Sequence, residues 1–211
     1  MIASRLGVDN LIFIDNGQLS KLIDLKDDTI RYFKKSTNQN LLNYILAKKV
    51  ILVEGNAEFI LMENFFQIVK KKKPEDMGVS IISVGGLSFE RYLEFTRYLT
   101  HKKVAVLTDN DNDYENKIDS KYASYSNCQN IQIFSDQNND NHTFEICLFN
   151  SNKNLFNSWN FAKTKNLQKF MLNNKAEFAL RLLEKLENDE ESREFKIPEY
   201  IRQVIEWITK N

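Results

Sequence analysis

Carboxylates in this sequence recur directly after apolar, β-branched runs. Ile51-Leu52-Val53 is followed by Glu54-Gly55-Asn56-Ala57-Glu58, and Val106-Leu107 by Thr108-Asp109-Asn110-Asp111-Asn112-Asp113. If these runs are strands of a parallel sheet, their carboxyl ends are where such sheets bind ligands. Glu54 then stands at a strand tip and Glu58 on the first turn of the next helix, so the two converge. Gly55 permits a tight turn and close approach of a phosphate or metal, beside the unpaired N–H groups and positive end of that helix. Three carboxylates alternating with amides over 109–113 repel one another unless cations intervene. Hard oxygen ligands without neighbouring Cys or His select Mg²⁺ or Mn²⁺ over zinc or copper. Two such ions about 3.5–4 Å apart activate a water and stabilise a leaving oxygen, so the chemistry indicated is phosphoryl transfer.

Each motif taken alone has a structural explanation: Glu-Gly-x-x-Glu as a capped helix start, Asp-x-Asp as an Asx turn. Their joint occurrence at two strand ends, with Gly85-Gly86 after the strand between them, favours a site.

The elements that must hold these residues are legible from periodicity. Continuous apolar runs at 49–53, 79–84 and 103–107 read as buried strands, with 131–134 as a further candidate. They alternate with helical patterns, the signature of a parallel sheet covered on both faces, so the fold class is α/β. Between the first two strands, Ile60, Leu61, Asn64, Phe65 and Ile68 predict a helix over 57–69. Between the next two, Phe89, Tyr92, Leu93, Thr96 and Leu99 predict another, with Ser88 as its cap. The stripe of Phe65, Phe66, Tyr92 and Phe95 reads as core.

Upstream, Leu11–Ile14, an Asp15-Asn16-Gly17 turn signal and an apolar stretch at Leu22–Leu25 predict a small hairpin, and Leu41–Leu46 has helical spacing. Residues 1–45 thus read as a junction, 46–150 as the catalytic core, and 151–211 as a helical extension. In the last, Ala176, Leu180, Leu183 and Leu186 predict one amphipathic helix. Tyr200, Ile201, Val204, Ile205 and Ile208 predict another after Pro198. The segment 136–141 is polar and reads as a loop.

Composition narrows the function classes. The chain has 211 residues, 42% hydrophobic and 27% charged, enough for a proper core. Its 29 Lys and Arg balance 29 Asp and Glu, so any nucleic-acid contact must be local. Lys70–Lys73 reads as a solvated helix end, while Lys34, Lys35, Lys48, Lys49, His101, Lys102 and Lys103 are candidates for a basic surface. Cys128 and Cys147 lack metal-site spacing and read as reduced core thiols. No apolar run reaches membrane-spanning length and no signal core opens the chain, so the expected location is the cytoplasm.

Taken in order, Ile51-Leu52-Val53-Glu54-Gly55-x-x-Glu58, Ile82-Ser83-Val84-Gly85-Gly86 and Val106-Leu107-Thr108-Asp109-x-Asp111 resemble the Toprim domain. Thr143-Phe144-Glu145, Asn174-Lys175-x-Glu177-Phe178-Ala179 and Pro198-Glu199-Tyr200-Ile201 extend the resemblance, over residues 45–208, to the overcoming-lysogenization-defect (OLD) nucleases, which include the Gabija anti-phage nuclease. The resemblance implies a Rossmann-like, mainly parallel sheet flanked by helices and a metal-dependent DNA endonuclease. Glu54, Glu58, Asp109, Asp111 and Glu145 correspond to its acidic metal positions, holding Mg²⁺ or Mn²⁺, and Lys175 to its catalytic lysine. An ammonium there would offset charge growing on phosphate oxygens. Asp140 stands as an alternative to Glu145 and Asp113 as an additional ligand; His142 reads as solvated and Thr143 as orienting its loop.

The resemblance further implies an ATPase domain ahead of residue 1, to which residues 1–15 would be the exit segment. With no Gly-x-x-x-x-Gly-Lys-Ser/Thr loop in the sequence, the chain is expected to be a fragment, a truncated product or half of a split system, with the ATPase on another chain. Receiver domains and haloacid-type phosphatases fit less well, because their acidic motifs belong after the first strand. The competing non-enzyme expectation is a silent module that binds nucleic acid or an ATPase partner.

Overall fold

A computed structural model describes residues 12–15, 18–21, 25–35, 38–86, 89–97, 99, 101–159, 161, 166–188 and 193–210. The N-terminal segment 1–11, the Asn16-Gly17 turn, residues 22–24 and the expected cap Ser88 lie outside these.

Four apolar runs form parallel strands: β3 (Lys49–Val53), β4 (Val79–Ser83), β5 (Lys103–Leu107) and β6 (Ile131–Phe134), in the order β4-β3-β5-β6. An antiparallel pair, β1 (Ile12–Asp15) and β2 (Gln18–Lys21), precedes them. The expected second hairpin strand at 22–25 is corrected to 18–21. Asp15 pairs with Gln18, so only two residues intervene, the loop length that Asn-Gly favours.

Period-two alternation sorts the central strands between two cores. Ile51, Val53, Ala105 and Leu107 face one hydrophobic cluster; Val50, Leu52, Val104 and Val106 face the other. The first face is covered by α3 (Asn56–Lys70), α8 (Lys175–Asn188) and α9 (Glu199–Thr209). The second takes α1 (Asp27–Lys35), α2 (Asn38–Leu46) and α4 (Phe89–Thr96). Helix α1 was not read from the sequence, although Asp27 and Asp28 complement its N-terminal dipole. Three short helices, α5 (Phe144–Ser151), α6 (Lys153–Ser158) and α7 (Leu167–Asn173), join β6 to α8.

This topology has a consequence for ligands. From β3 the chain crosses by α3 on one face to β4, then returns by α4 on the other face to β5, on the far side of β3. The connections diverge between β3 and β5, which opens a crevice at the carboxyl ends of those two strands. Their register pairs Val53 with Leu107, so Glu54 and Thr108-Asp109 emerge side by side.

Two expectations about side chains are corrected. In α8 the buried stripe is Phe178, Ala179, Leu182 and Leu186, with Leu180 52% exposed. Phe178 sets this rotation by packing against Phe156 and Phe161. Lys102 is no surface lysine: it is 1% exposed, and its Nζ donates to the carbonyls of Tyr44, Ile45 and Ala47 at the end of α2. Lys103 likewise donates to the Trp207 and Lys210 carbonyls at the end of α9, at 2.7 and 2.9 Å. Adjacent lysines entering β5 thus cap one helix on each face.

Lys102→Ala should cost about 2–3 kcal/mol, because it leaves buried carbonyls without a donor. Urea denaturation will show this as a lower midpoint at unchanged slope; a loss below about 0.5 kcal/mol, the ordinary range for surface changes, would contradict the capping role.

Candidate metal centre

At the tip of β3, Val84 N–H donates to Val53 O at 2.9 Å and Gly86 N–H to Glu54 O at 3.1 Å. Gly85 and Gly86 adopt φ of +68° and +103°, the left-handed region that glycine enters without strain. This turn clamps the β4 end against Glu54. Gly55 serves differently from the expectation, because its backbone is extended with φ at −142°. It leaves room: Glu58 folds back so that its Oε2 accepts from Gly55 N–H at 3.1 Å, and a Cβ on Gly55 would lie 3.3 Å from that oxygen.

The three residues after Thr108 each grip the segment 136–144. Asp109 Oδ1 accepts from Phe144 N–H at 2.7 Å. Asn110, fully buried, donates to the Asp136 and Asn138 carbonyls at 2.7 and 3.1 Å and accepts from Asn112 N–H. Asp111 N–H donates to His142 O at 3.2 Å, with Asp111 and Asn112 at positive φ. Thr143 caps α5 by accepting from Ile146 N–H. Together these contacts place Glu145, in the first turn of α5, beneath the strand tips. From the other side, Lys175 at the start of α8 brings Nζ to 3.1 Å from Glu145 Oε2.

Electrostatics shows which of the expected residues converge. Burial raises Glu54, with Asp111 and Glu145 adding to the shift while Lys175 opposes it. Burial raises Asp109 well above the ordinary carboxylate range, and Glu58, Glu54 and Glu145 push it further. Glu58 is pushed up to about 7, first by burial, with Glu145 and Glu54 adding to it. Burial would lower the Lys175 ammonium, but Glu145, Asp109 and Glu58 outweigh it and hold the group above its ordinary value. Glu54, Glu58, Asp109, Glu145 and Lys175 therefore act on one another as a group. Asp111 stands at the rim, paired with Lys117 at 3.5 Å. Asp113 accepts from Asn116 within its own loop, and Asp140 is exposed. Glu54, Glu58, Gly85, Gly86 and Lys175 line a cleft of about 370 Å³.

Does this set suit a divalent cation? Glu145 is fully buried, with Oε1 lacking any hydrogen bond among the described residues and Oε2 answered by the Lys175 ammonium at 3.1 Å. One positive charge thus faces several desolvated carboxylates, an arrangement that is costly without a further cation. Hard oxygen donors gathered at one strand end, with excess negative charge, fit Mg²⁺ or Mn²⁺. The acids are gathered but not closed into a coordination shell: among the described residues no three such side chains stand close enough to hold an ion as oriented.

Sequence reading missed Asn110, which looked like a spacer between acids, and the lysines at the rim, Lys117 and Lys121. The signal for Asn110 was its place inside a strand-end Asp-x-Asp. Lys70–Lys73 begins at the far end of α3, about 18 Å of helix from Glu58, and so cannot touch a ligand at Glu54.

Residues 45–111 match the family described as "Overcoming lysogenization defect protein-like, TOPRIM domain". Similar solved structures include the C-terminal region of the Burkholderia pseudomallei OLD protein (20% identity, 77% of this chain, 97% of that chain, TM-score 0.48). The C-terminal region of the Xanthomonas campestris pv. campestris OLD protein is also similar (20% identity, 78% of this chain, 95% of that chain, TM-score 0.45). No curated protein matches the chain. Among the described residues no helix is long and apolar enough to cross a membrane.

The raised Glu58 fixes a pH dependence. The unfolded chain ionises this group near 4.5 and the folded chain near 7, so its stabilising contribution is complete below pH 4.5 and lost as pH rises to 7. In chelator, this group should lower the unfolding free energy by about 3 kcal/mol across that interval. Glu58→Gln should flatten the profile, and thermal melts from pH 4.5 to 7.5 will check it; an unchanged slope in the variant would contradict the assignment.

Proposed function

We propose, from the OLD-like Toprim domain over residues 45–111, that the chain is a metal-dependent DNA endonuclease hydrolysing phosphodiester bonds. The observation that carries the reading is the fully buried carboxylate of Glu145 among Glu54, Glu58 and Asp109 at the switch point of the sheet, with the Lys175 ammonium as its counter-charge. Glu54, Glu58, Asp109, Asp111 and Glu145 would hold one or two Mg²⁺ or Mn²⁺ ions. Such ions supply Lewis acidity to a phosphoryl oxygen and to an attacking water.

The chain's own groups do the rest. Lys175 stays protonated, because the surrounding carboxylates hold its ammonium above the ordinary value. It offsets the negative charge that grows on the phosphate in the transition state. Asp109 holds the α5 N-terminus through Phe144 N–H, and so keeps Glu145 aligned with the strand tips. The Gly85-Gly86 turn leaves the Glu54 side of the cleft free of side-chain bulk. On this reading the partners are DNA and an ATPase domain or subunit, and the chain works in the cytoplasm. The alternative is a Toprim module that binds nucleic acid or an ATPase without cutting.

A plasmid-nicking assay separates the two. With Mg²⁺ or Mn²⁺ the purified chain should nick supercoiled DNA, and chelator should abolish it. Glu54→Ala and Lys175→Ala should each lose about 10²–10³-fold, the scale for removing one preorganised electrostatic contact. Metal-independent nicking, or full activity in Glu54→Ala, would overturn the proposal.

A further inference from the structure

Between β5 and β6 the chain makes a π-helical turn, Glu115–Ser120, a geometry that recurs at functional sites. Its charges alternate in sequence as Glu115, Lys117, Asp119 and Lys121. Residues four apart share a helix face, so Lys117 and Lys121 lie together while Glu115 and Asp119 lie together on the opposite side. The structure agrees with this sorting. Lys117 Nζ stands 3.5 Å from Asp111 at the rim of the acidic cluster. Asp119 lines a separate cleft, with Tyr125, Gln129 and Trp207, along the open edge of β6. The charge of Lys121 is felt at Glu54, and its Nζ sits 5.1 Å from the centre of the Tyr122 ring.

The turn is held at its start. Asp113 accepts from Asn116, and Tyr114 N–H donates to Asn139 Oδ1 at 2.9 Å. Ile118, between the lysines, and Tyr122, after them, are buried. The two ammonium groups are thus presented from a fixed element, Lys117 exposed and Lys121 half-buried. Lys175 stands in the acidic cluster itself, on a different element.

We propose that Lys117 and Lys121 form a phosphate-binding rim that carries the DNA backbone past the strand tips on the side away from α8. A cluster dominated by carboxylates repels a polyanion, and the chain has no net positive charge to compensate. A basic rim beside the cluster supplies the missing attraction locally and aligns the strand over Glu54 and Asp109. The assignment rests on the nuclease reading and adds to it the element that binds the substrate backbone.

The test is binding, not cleavage. A fluorescently labelled DNA duplex is titrated in Ca²⁺, which takes oxygen ligands, over a range of NaCl concentrations. Lys117→Gln/Lys121→Gln should weaken binding about tenfold at low salt and lower the slope of log affinity against log salt by about 0.9 per lysine. Lys117→Arg/Lys121→Arg should restore both. Lys71→Gln/Lys72→Gln, the same charge change at the far end of α3, should leave the slope as in the parent chain. If the 117/121 pair behaves like the 71/72 control, the rim is wrong while the nuclease reading stands. If the parent chain binds no DNA, both fall together. Thermal melts will confirm that each variant is folded.

Discussion

Burying several carboxylates side by side with few compensating partners is the constraint around which this end of the molecule is organised. Glu145 has no exposed surface and only the Lys175 ammonium, 3.1 Å from Oε2, to answer its charge, and Glu58 is 5% exposed with one backbone N–H on its carboxylate. Desolvation of this kind costs several kcal/mol per ion, repaid only by close opposite charge or by neutralisation. Burial accordingly favours the neutral acid at Glu58 and Asp109, raising both, and Lys175 offsets part of the remaining charge. Both arrangements leave the cluster short of positive charge, which is what an oxygen-liganded divalent ion provides.

The Asp-Asn-Asp sequence after β5 has two duties at once. Its acids contribute charge, but its hydrogen bonds also decide where Glu145 goes. Asp109 takes Phe144 N–H, Asn110 takes the carbonyls of the polar loop, and Asp111 donates to His142 O. A loop that composition marks merely as polar is thereby an ordered network, in which Asn141 also donates to Asp136 and accepts from Asn150. Fold and site cannot be separated here, because the residues that orient the acids are interleaved with the acids.

Periodicity made the parallel strands legible, since β3 and β5 carry continuous apolar runs that end in Glu54 and Thr108-Asp109. The helices after them were legible too; in α9 the expected stripe of Tyr200, Ile201, Val204, Ile205 and Ile208 is the buried one. Rotation within a helix was less so. In α8 both Leu180 and Phe178 are apolar, and only the aromatic partners Phe156 and Phe161 choose between them. Lys102 eluded reading because a lysine in sequence carries no mark of the helix end it will cap. Asn110 was missed for a related reason, because its partners come from the 136–138 loop brought in by the tertiary fold; Lys117 and Lys121 carry no mark in sequence of the acidic rim they stand beside.

The most direct test of the central claim is calorimetric titration of Mn²⁺ into chelator-stripped protein at pH 7, in two buffers of different ionisation enthalpy. Because Glu58, pushed up to about 7, is partly protonated at this pH, binding should release protons, and the heat should differ between buffers. One or two sites should appear, much weakened in Glu145→Gln. Absence of binding, or binding that releases no proton and ignores the Glu145 change, would contradict the account.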